Sequence, residues 1–458
     1  MKFRSTFFLL IAFIALLVFV LVVEFPEEGE TQDYLVNKPP YEIEKIEFES
    51  GENTIVIEKN SEEEWMITAP LQAPADKTQV ESLAEDMSEL PFEKVVEAEP
   101  GDLSKYGIPA QKIRLFYQDK TDPVSILIGE KNPLDNTYFA KTDHENPVVL
   151  LPSRLSTTLE KELTDLRKKD IFQFAQGQAG SLSVDAPDSS WQAEKRDDEW
   201  YLIEPVQSLA DKTGIQGVLD SLSGLKAEEF VSEDKSEEDI RNYGLQNPSY
   251  EAALNIPGEN KKLTFYLNQL DDKLYATTDE STKIITVSDT VLTKLDKPAS
   301  DLREKSIADF YNWEVTRVDV EDPAISLNAV KDKEDVWHLD SAEGPEADKQ
   351  KIEDFLRKVS YLEASEFIDP PWEAEEYGLS GNGKKVIISI SSDDKDKTET
   401  ITLLIGKEKE EEENKKVFIQ NQRFDYLFKT DAEFLQSYPA DREDWLKKEN
   451  ESGTDEQK

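Results

Sequence analysis

Three stretches of this chain repeat one another about 135 residues apart, and that spacing constrains the fold more than any other feature. Trp65-Met66-Ile67-Thr68-Ala69-Pro70 is echoed by Trp200-Tyr201-Leu202-Ile203-Glu204-Pro205, and more faintly by Trp337-His338-Leu339-Asp340, at offsets of 135 and 137 residues. The tripeptides Ala75-Asp76-Lys77, Ala210-Asp211-Lys212 and Ala347-Asp348-Lys349 keep the same offsets. Tyr106-Gly107-Ile108, Tyr243-Gly244-Leu245 and Tyr377-Gly378-Leu379 follow in the same order. Asp165-Leu166-Arg167 and Asp301-Leu302-Arg303 close two copies, and Asp441-Arg442 is taken as the third ending, without its leucine. A period this long exceeds that of solenoid repeats, and a unit of that size can bury a core of its own. The copies therefore read as tandem domains.

Each copy shows the same internal pattern. Alternating apolar residues such as Ile46 and Phe48, then Ile55 and Ile57, then the Trp65 run, predict an antiparallel meander. Val80, Leu83, Ala84, Met87 and Leu90 then fall at helical spacing, as do Ile215, Val218, Leu219, Leu222 and Leu225, and Ile352, Phe355, Leu356, Val359 and Leu362. Strand alternation resumes after the Tyr-Gly turn, and a short closing helix, Leu155 to Leu166 in the first copy, ends the unit. Strands grouped around segregated helices predict an α+β fold: three tandem repeats, each an antiparallel sheet with a packed helix and a short closing helix.

Seventeen apolar residues from Phe7 to Val23, with Lys2 and Arg4 before them and Glu24, Glu27, Glu28 and Glu30 after, predict an N-terminal transmembrane helix. The exit Val22-Val23-Glu24-Phe25-Pro26 has no small-x-small cleavage site, so the segment reads as an uncleaved signal anchor. The expected location is the cell membrane, single-pass, with the N-terminus cytoplasmic and the bulk extracytoplasmic. The predicted organisation is a stub and anchor over 1–24, a Pro/Glu-rich tether over 25–41, repeat domains over 42–174, 175–310 and 311–446, and a disordered tail over 447–458.

Charge and composition narrow the function classes. Ninety-eight acidic against 53 basic residues give a net charge of −45, which argues against nucleic acid and anionic lipid surfaces as partners. There is no cysteine, hence no thiolate nucleophile, disulfide or metal–sulfur site. No phosphate-binding glycine motif and no Gly-x-Ser-x-Gly elbow occurs, and the two histidines, His144 and His338, stand at non-equivalent positions. The acidic clusters Asp393-Asp394-Lys395-Asp396 and Glu410 to Glu413 lack the pattern of a calcium loop. No catalytic residue, cofactor or metal is expected.

The Trp-x-Ile-x-x-Pro strand, the Ala-Asp-Lys helix start and the Tyr-Gly-Leu turn resemble the bacterial domain of unknown function 4340 family, once per copy. Copy three departs most, having no proline after Trp337 at the matching place. The resemblance implies a membrane-anchored extracytoplasmic protein linked with ATP-binding-cassette (ABC) transporters similar to gliding-motility systems, in a non-catalytic accessory role. It implies no active-site residues.

The recurrent residues read first as structure. Asp76, Asp211 and Asp348 stand where helix N-caps are needed, and Asp76 to Gln79 has capping-box spacing. The neighbouring Lys77, Lys212 and Lys349 are either solvated or ligand contacts. Trp65, Trp200 and Trp337 are expected to anchor the cores, with a carbohydrate-stacking platform as the sharper alternative. Gly107, Gly244 and Gly378, after Tyr106, Tyr243 and Tyr377, are expected to supply a turn of positive φ. The function expected is an accessory or binding protein of an ABC-type transport system, with transporter subunits or a basic or neutral envelope partner. The alternatives are a carboxylate-based envelope glycan hydrolase and a passive structural spacer.

Overall fold

The computed structural model describes residues 33–448 except 52, 119–121, 133–134, 146, 171–173, 259–260, 382, 392–397 and 412–413. The chain divides into two compact units, Met1–Asp170 and Ile171–Lys458. The first holds one repeat and the second holds two.

In the first unit nine strands form one antiparallel sheet. Their spatial order is Ala73–Pro74, Trp65–Ala69, Asn53–Lys59, Ile43–Ser50, Gln111–Tyr117, Val124–Lys131, Tyr138–Thr142, Val148–Leu151 and Lys94–Glu97. Two meanders thus join side by side where Ile46 faces Leu115 and Phe48 faces Ile113. Helix α1 (Lys77–Ser88) carries the chain from one edge of this sheet to the other. Alternate strand residues point inward, so Ile46, Ile57, Ile67, Ile113 and Leu115 share one core with Val80, Leu83 and Met87 of the helix. Burying each such side chain contributes roughly 1.5–3 kcal/mol, which outweighs the modest propensity of so short a helix. A small second sheet pairs Tyr34–Asn37 with Glu89–Pro91.

The second unit repeats this order twice. Its first sheet runs Ser208–Leu209, Glu199–Glu204, Ser189–Arg196, Ser181–Ala186, Tyr250–Ile256, Lys261–Leu270, Lys273–Thr278, Ile284–Val287 and Glu229–Ser232, around helix α2 (Lys212–Ser223). Its second sheet has eight strands: Trp337–Leu339, Ser326–Lys331, Val315–Glu321, Lys384–Ser391, Thr398–Glu410, Lys415–Asn421, Leu427–Asp431 and Glu366–Ile368, around helix α3 (Lys349–Ser360). The missing strand is the short one that follows Pro70 or Pro205 in the other repeats. Two residues before the place of those prolines the third repeat turns at Asp340, with φ 69°, and it pairs His338 with Glu346 by a single bridge.

Two expectations are corrected. The fold is mostly β rather than α+β: among the described residues strands hold 43% against 23% in helices, in four sheets. The reason lies in the short edge strands, two to four residues long, which carry no periodic signal, while the closing helix breaks into the short turns Ser153–Leu155, Ser156–Leu159 and Leu163–Leu166. The single-pass placement in a membrane is also corrected. No helix among the described residues is long and apolar enough to cross a membrane, and the apolar run from Phe7 to Val23 lies outside the described residues. The predicted tether, apart from 33–41, and the tail from 449 onward also lie outside them.

Candidate functional site

The recurrent residues assemble into a seam inside each repeat. The Trp65 carbonyl accepts from Ala75 N–H at 3.0 Å, and the next N–H, of Asp76, donates to Leu166 O at 2.9 Å. In the second repeat Ala210 N–H donates to Trp200 O at 2.8 Å and Asp211 N–H to Leu302 O at 2.7 Å. In the third, Ala347 N–H donates to Trp337 O and Asp348 N–H to Trp445 O, both at 2.8 Å. The third ending is therefore Asp444-Trp445-Leu446 and not Asp441-Arg442. Trp445 stands in place of the closing leucine and Leu446 in place of the arginine, bridged to Ala347 as Arg303 is to Ala210.

Side chains at the seam serve the scaffold. The oxygen Oδ1 of Asp76 accepts from Gln79 N–H at 3.1 Å, that of Asp211 from Thr213 N–H at 2.9 Å, and that of Asp348 from Gln350 and Lys351 N–H at 3.1 and 3.3 Å. Each satisfies helix-end donors that lack an intrahelical partner. The Gln79 side chain accepts from Lys161 rather than reaching back to complete a capping box. Trp65, Trp200 and Trp337 are all buried, which removes the ring faces a sugar would need. Lys59 lies 5.2 Å above the Trp65 ring and Lys331 5.2 Å above that of Trp337. Lys77 and Lys349 pair loosely along their helices with Glu81 and Glu353, at 3.8 and 3.6 Å.

The Tyr-Gly turns fix a second point in each repeat. Tyr106 packs on Phe139 at 5.0 Å, Tyr243 on Tyr275 at 4.6 Å, and Tyr377 on Phe418 at 4.9 Å. Gly107, Gly244 and Gly378 have φ of 62, 70 and 72°. At Gly378 a Cβ would also come within 2.8 Å of Lys407 N, so both conformation and space call for glycine.

Two concave features of the second unit lie where its two repeats meet. A cavity of about 880 Å³ is lined by Asp198, Glu199, Glu304, Asp309 and Glu399, against Lys212 and Arg423. A second, of about 420 Å³, adjoins it at Leu209, Arg423 and Phe424. Arg423 is held by Glu199 and donates to the Tyr201 hydroxyl at 3.1 Å; that hydroxyl in turn donates to Glu199 at 2.8 Å. On the other side Arg303, whose side chain is 5% exposed, makes two hydrogen bonds to Asp369, at 2.9 and 2.8 Å. Its guanidinium lies 3.9 Å over the Phe367 ring and 4.8 Å from that of Tyr426. The Tyr426 hydroxyl accepts from Leu209 N–H at 3.4 Å, and burial pushes its pKa up to about 12.

Sequence reasoning did not identify Arg303, Asp369, Arg423 or Glu199 as a group. The signal available was the arginine closing two copies and replaced in the third. Neither histidine joins the cleft. His144 is exposed after a strand, and His338 bridges Gly344 O and Asp332 Oδ2, at 2.9 and 3.0 Å. Among the described residues no group of three or more acidic or histidine side chains is placed to hold a metal ion.

A family model described as "Domain of unknown function (DUF4340)" matches residues 65–248 and again 200–382. Each match starts at a repeat tryptophan and ends just past the Tyr-Gly turn of the next copy. No curated protein matches the sequence. Among solved structures, the DNA polymerase III subunit beta from Pseudomonas aeruginosa is similar at 9% identity, over 86% of this chain and 94% of that one, with a TM-score of 0.14. The DNA polymerase sliding clamp from the same organism, with ligand, gives 9%, 87%, 93% and 0.16. Scores so low carry no argument about fold or function.

Proposed function

The chain belongs to the domain of unknown function 4340 family, and from that premise we propose that it is a non-catalytic binding module that holds a basic or uncharged segment of a partner protein. The setting we propose, on the family resemblance, is an accessory role in an ABC-type transport system. The observation that carries the reading is the acid-lined cleft between the second and third repeats, where five carboxylates face two cations. Inter-domain clefts are common ligand sites, and a cavity of one sign attracts and orients a ligand of the other. Arg423 and Arg303 brace its walls through pairs already formed, so a partner meets a surface prepared in advance.

Co-purification of the tagged full chain from gently lysed cells is the test. Recovery of an ATP-binding-cassette subunit, reduced by Asp309→Asn with Glu399→Gln, supports both the partner and the cleft. Recovery unchanged by those substitutions moves the contact elsewhere, and repeated isolation of the chain alone tells against the accessory role.

A further inference from the structure

The third-repeat wall of the cleft includes the strand Thr398–Glu410, which has two neighbours for most of its length and one for the rest. On one side Lys384–Ser391 pairs with it from Thr398 to Ile405. On the other, Lys415–Asn421 pairs only from Leu403 onward, and the last bond on that side runs from Gln422 N–H to Thr402 O at 2.9 Å. Arg423 then leaves the sheet for Glu199 of the second repeat. Backbone groups of a strand alternate between its two sides. The N–H of Thr402 and the N–H and C=O of Thr400 therefore point away from Lys384–Ser391, and among the described residues nothing pairs with them.

This stretch of edge opens into the cavity of about 880 Å³: Glu399, Thr400, Ile401 and Thr402 all line it, and Glu399 and Thr400 are exposed. The second repeat shows a closed version. There Asp279 N–H donates to Thr264 O at 3.2 Å, as Gln422 N–H does to Thr402 O, and the Asp279 carboxylate accepts from Thr264 N–H at 3.3 Å. In the third repeat Gln422 stands at that place, and Thr402 N–H has no such cap. Unpaired strand edges are where extended chains add. The charge around this one selects the chain: Asp198, Glu304, Asp309 and Glu399 line the same cavity, and among the described residues neither Asp309 nor Glu399 has a cation partner.

We propose that the edge from Thr400 to Thr402 takes an extended segment of a partner protein as an added strand, one that carries a lysine or arginine two residues from an aliphatic residue. The segment continues the line of Lys415–Asn421, and its main chain takes up the free groups of Thr400 and Thr402. Its aliphatic side chain lies beside Ile401 and its cation beside Glu399, which is two residues along on the same face. The inference rests on the binding-module reading of the cleft and adds the backbone geometry by which the segment is held.

The probe is the peptide Lys-Thr-Val-Thr-Lys, acetylated and amidated, titrated against the full-length protein by calorimetry. Two further versions are N-methylated on alternate amides. An added strand turns every second amide to the edge, so one version should bind like the parent and the other at least about tenfold more weakly. Thr400→Pro removes one outward N–H and no ladder bond, and should weaken the parent peptide at least about threefold. Asp309→Asn with Glu399→Gln should also weaken it severalfold. Because the N-methyl comparison is made on the unaltered protein, it decides the matter even if the proline variant fails to fold. Equal affinities of the two N-methylated versions, indifference to a folded Thr400→Pro variant, or no saturable binding at millimolar peptide overturns the proposal. Binding lost with the carboxylate variants but equal for the two N-methylated versions keeps the cleft as a binding site and removes the added strand.

Discussion

Arg303 and Asp369 form a two-pronged ion pair, at 2.9 and 2.8 Å, between residues that belong to consecutive repeats. The arginine is almost wholly buried and its partner about one-third exposed. Desolvating a guanidinium is costly, and here the cost is offset by two charge-assisted hydrogen bonds and by stacking on Phe367 and Tyr426. Arg303→Ala should therefore destabilise the second unit by roughly 2–4 kcal/mol, because Asp369 and the two rings lose their shared partner. Urea unfolding measures it. Arg303→Met, which keeps the packing without the charge, should recover part of the loss; equal losses would reduce the ion pair to a bystander of packing.

Capping makes a second expectation. Asp348 accepts from two backbone N–H groups at the start of α3, so Asp348→Ala should cost about 1 kcal/mol and Asp348→Asn much less. The comparison is read from unfolding midpoints followed by far-ultraviolet circular dichroism. Equal effects of the two variants would locate the cost outside the cap.

His338 supplies a pH dependence. Its hydrogen bond to the Gly344 carbonyl, and secondarily that to Asp332, raise its pKa above the usual 6.5. A group whose folded pKa is raised adds stability that is complete below the unfolded value and is lost as pH rises through the folded one. The Asp332 pKa is lowered from 3.8, first by the Val336 N–H, so its share is present above that value and lost as pH falls through the folded one. The pair should therefore stabilise the third repeat most between about pH 4 and 6.5. Unfolding midpoints of wild type and His338→Gln should converge as pH rises from about 6 to 8.5. Curves that stay parallel would show that the imidazole is not linked to folding.

Association with a basic partner should slow as salt is added. With a net charge of −45, long-range attraction steers encounter, and exposed charges are screened over ~8 Å at physiological ionic strength. Stopped-flow or surface-based kinetics should show the on-rate falling with salt much more than the off-rate rises. An on-rate indifferent to salt would leave the acidic surface to solubility alone.

Much of this architecture is legible in the sequence where one residue type serves one geometric need. Tryptophan, Ala-Asp-Lys and Tyr-Gly mark a core anchor, a helix cap and a left-handed turn, and those needs recur at fixed spacing. The third ending is misread because Asp441-Arg442-Glu443-Asp444 offers two aspartates, and the larger Trp445 takes a place held elsewhere by leucine. Strands such as Ala73–Pro74 are too short to show alternation, so the sheet content is larger than the pattern implies. The cleft is invisible for a different reason. Arg423 and Glu199 are 224 residues apart and meet only because two finished domains dock.

The seam that closes each repeat has an evolutionary consequence. Its bonds run from main chain to main chain, as in Asp348 N–H to Trp445 O, so they make no demand on the side chain at the residue after the closing position. Arg303 could become Leu446 in the next copy without disturbing them. Duplicated domains built this way can drift apart at their surfaces while their frames stay superposable, and three copies can come to grip three different things.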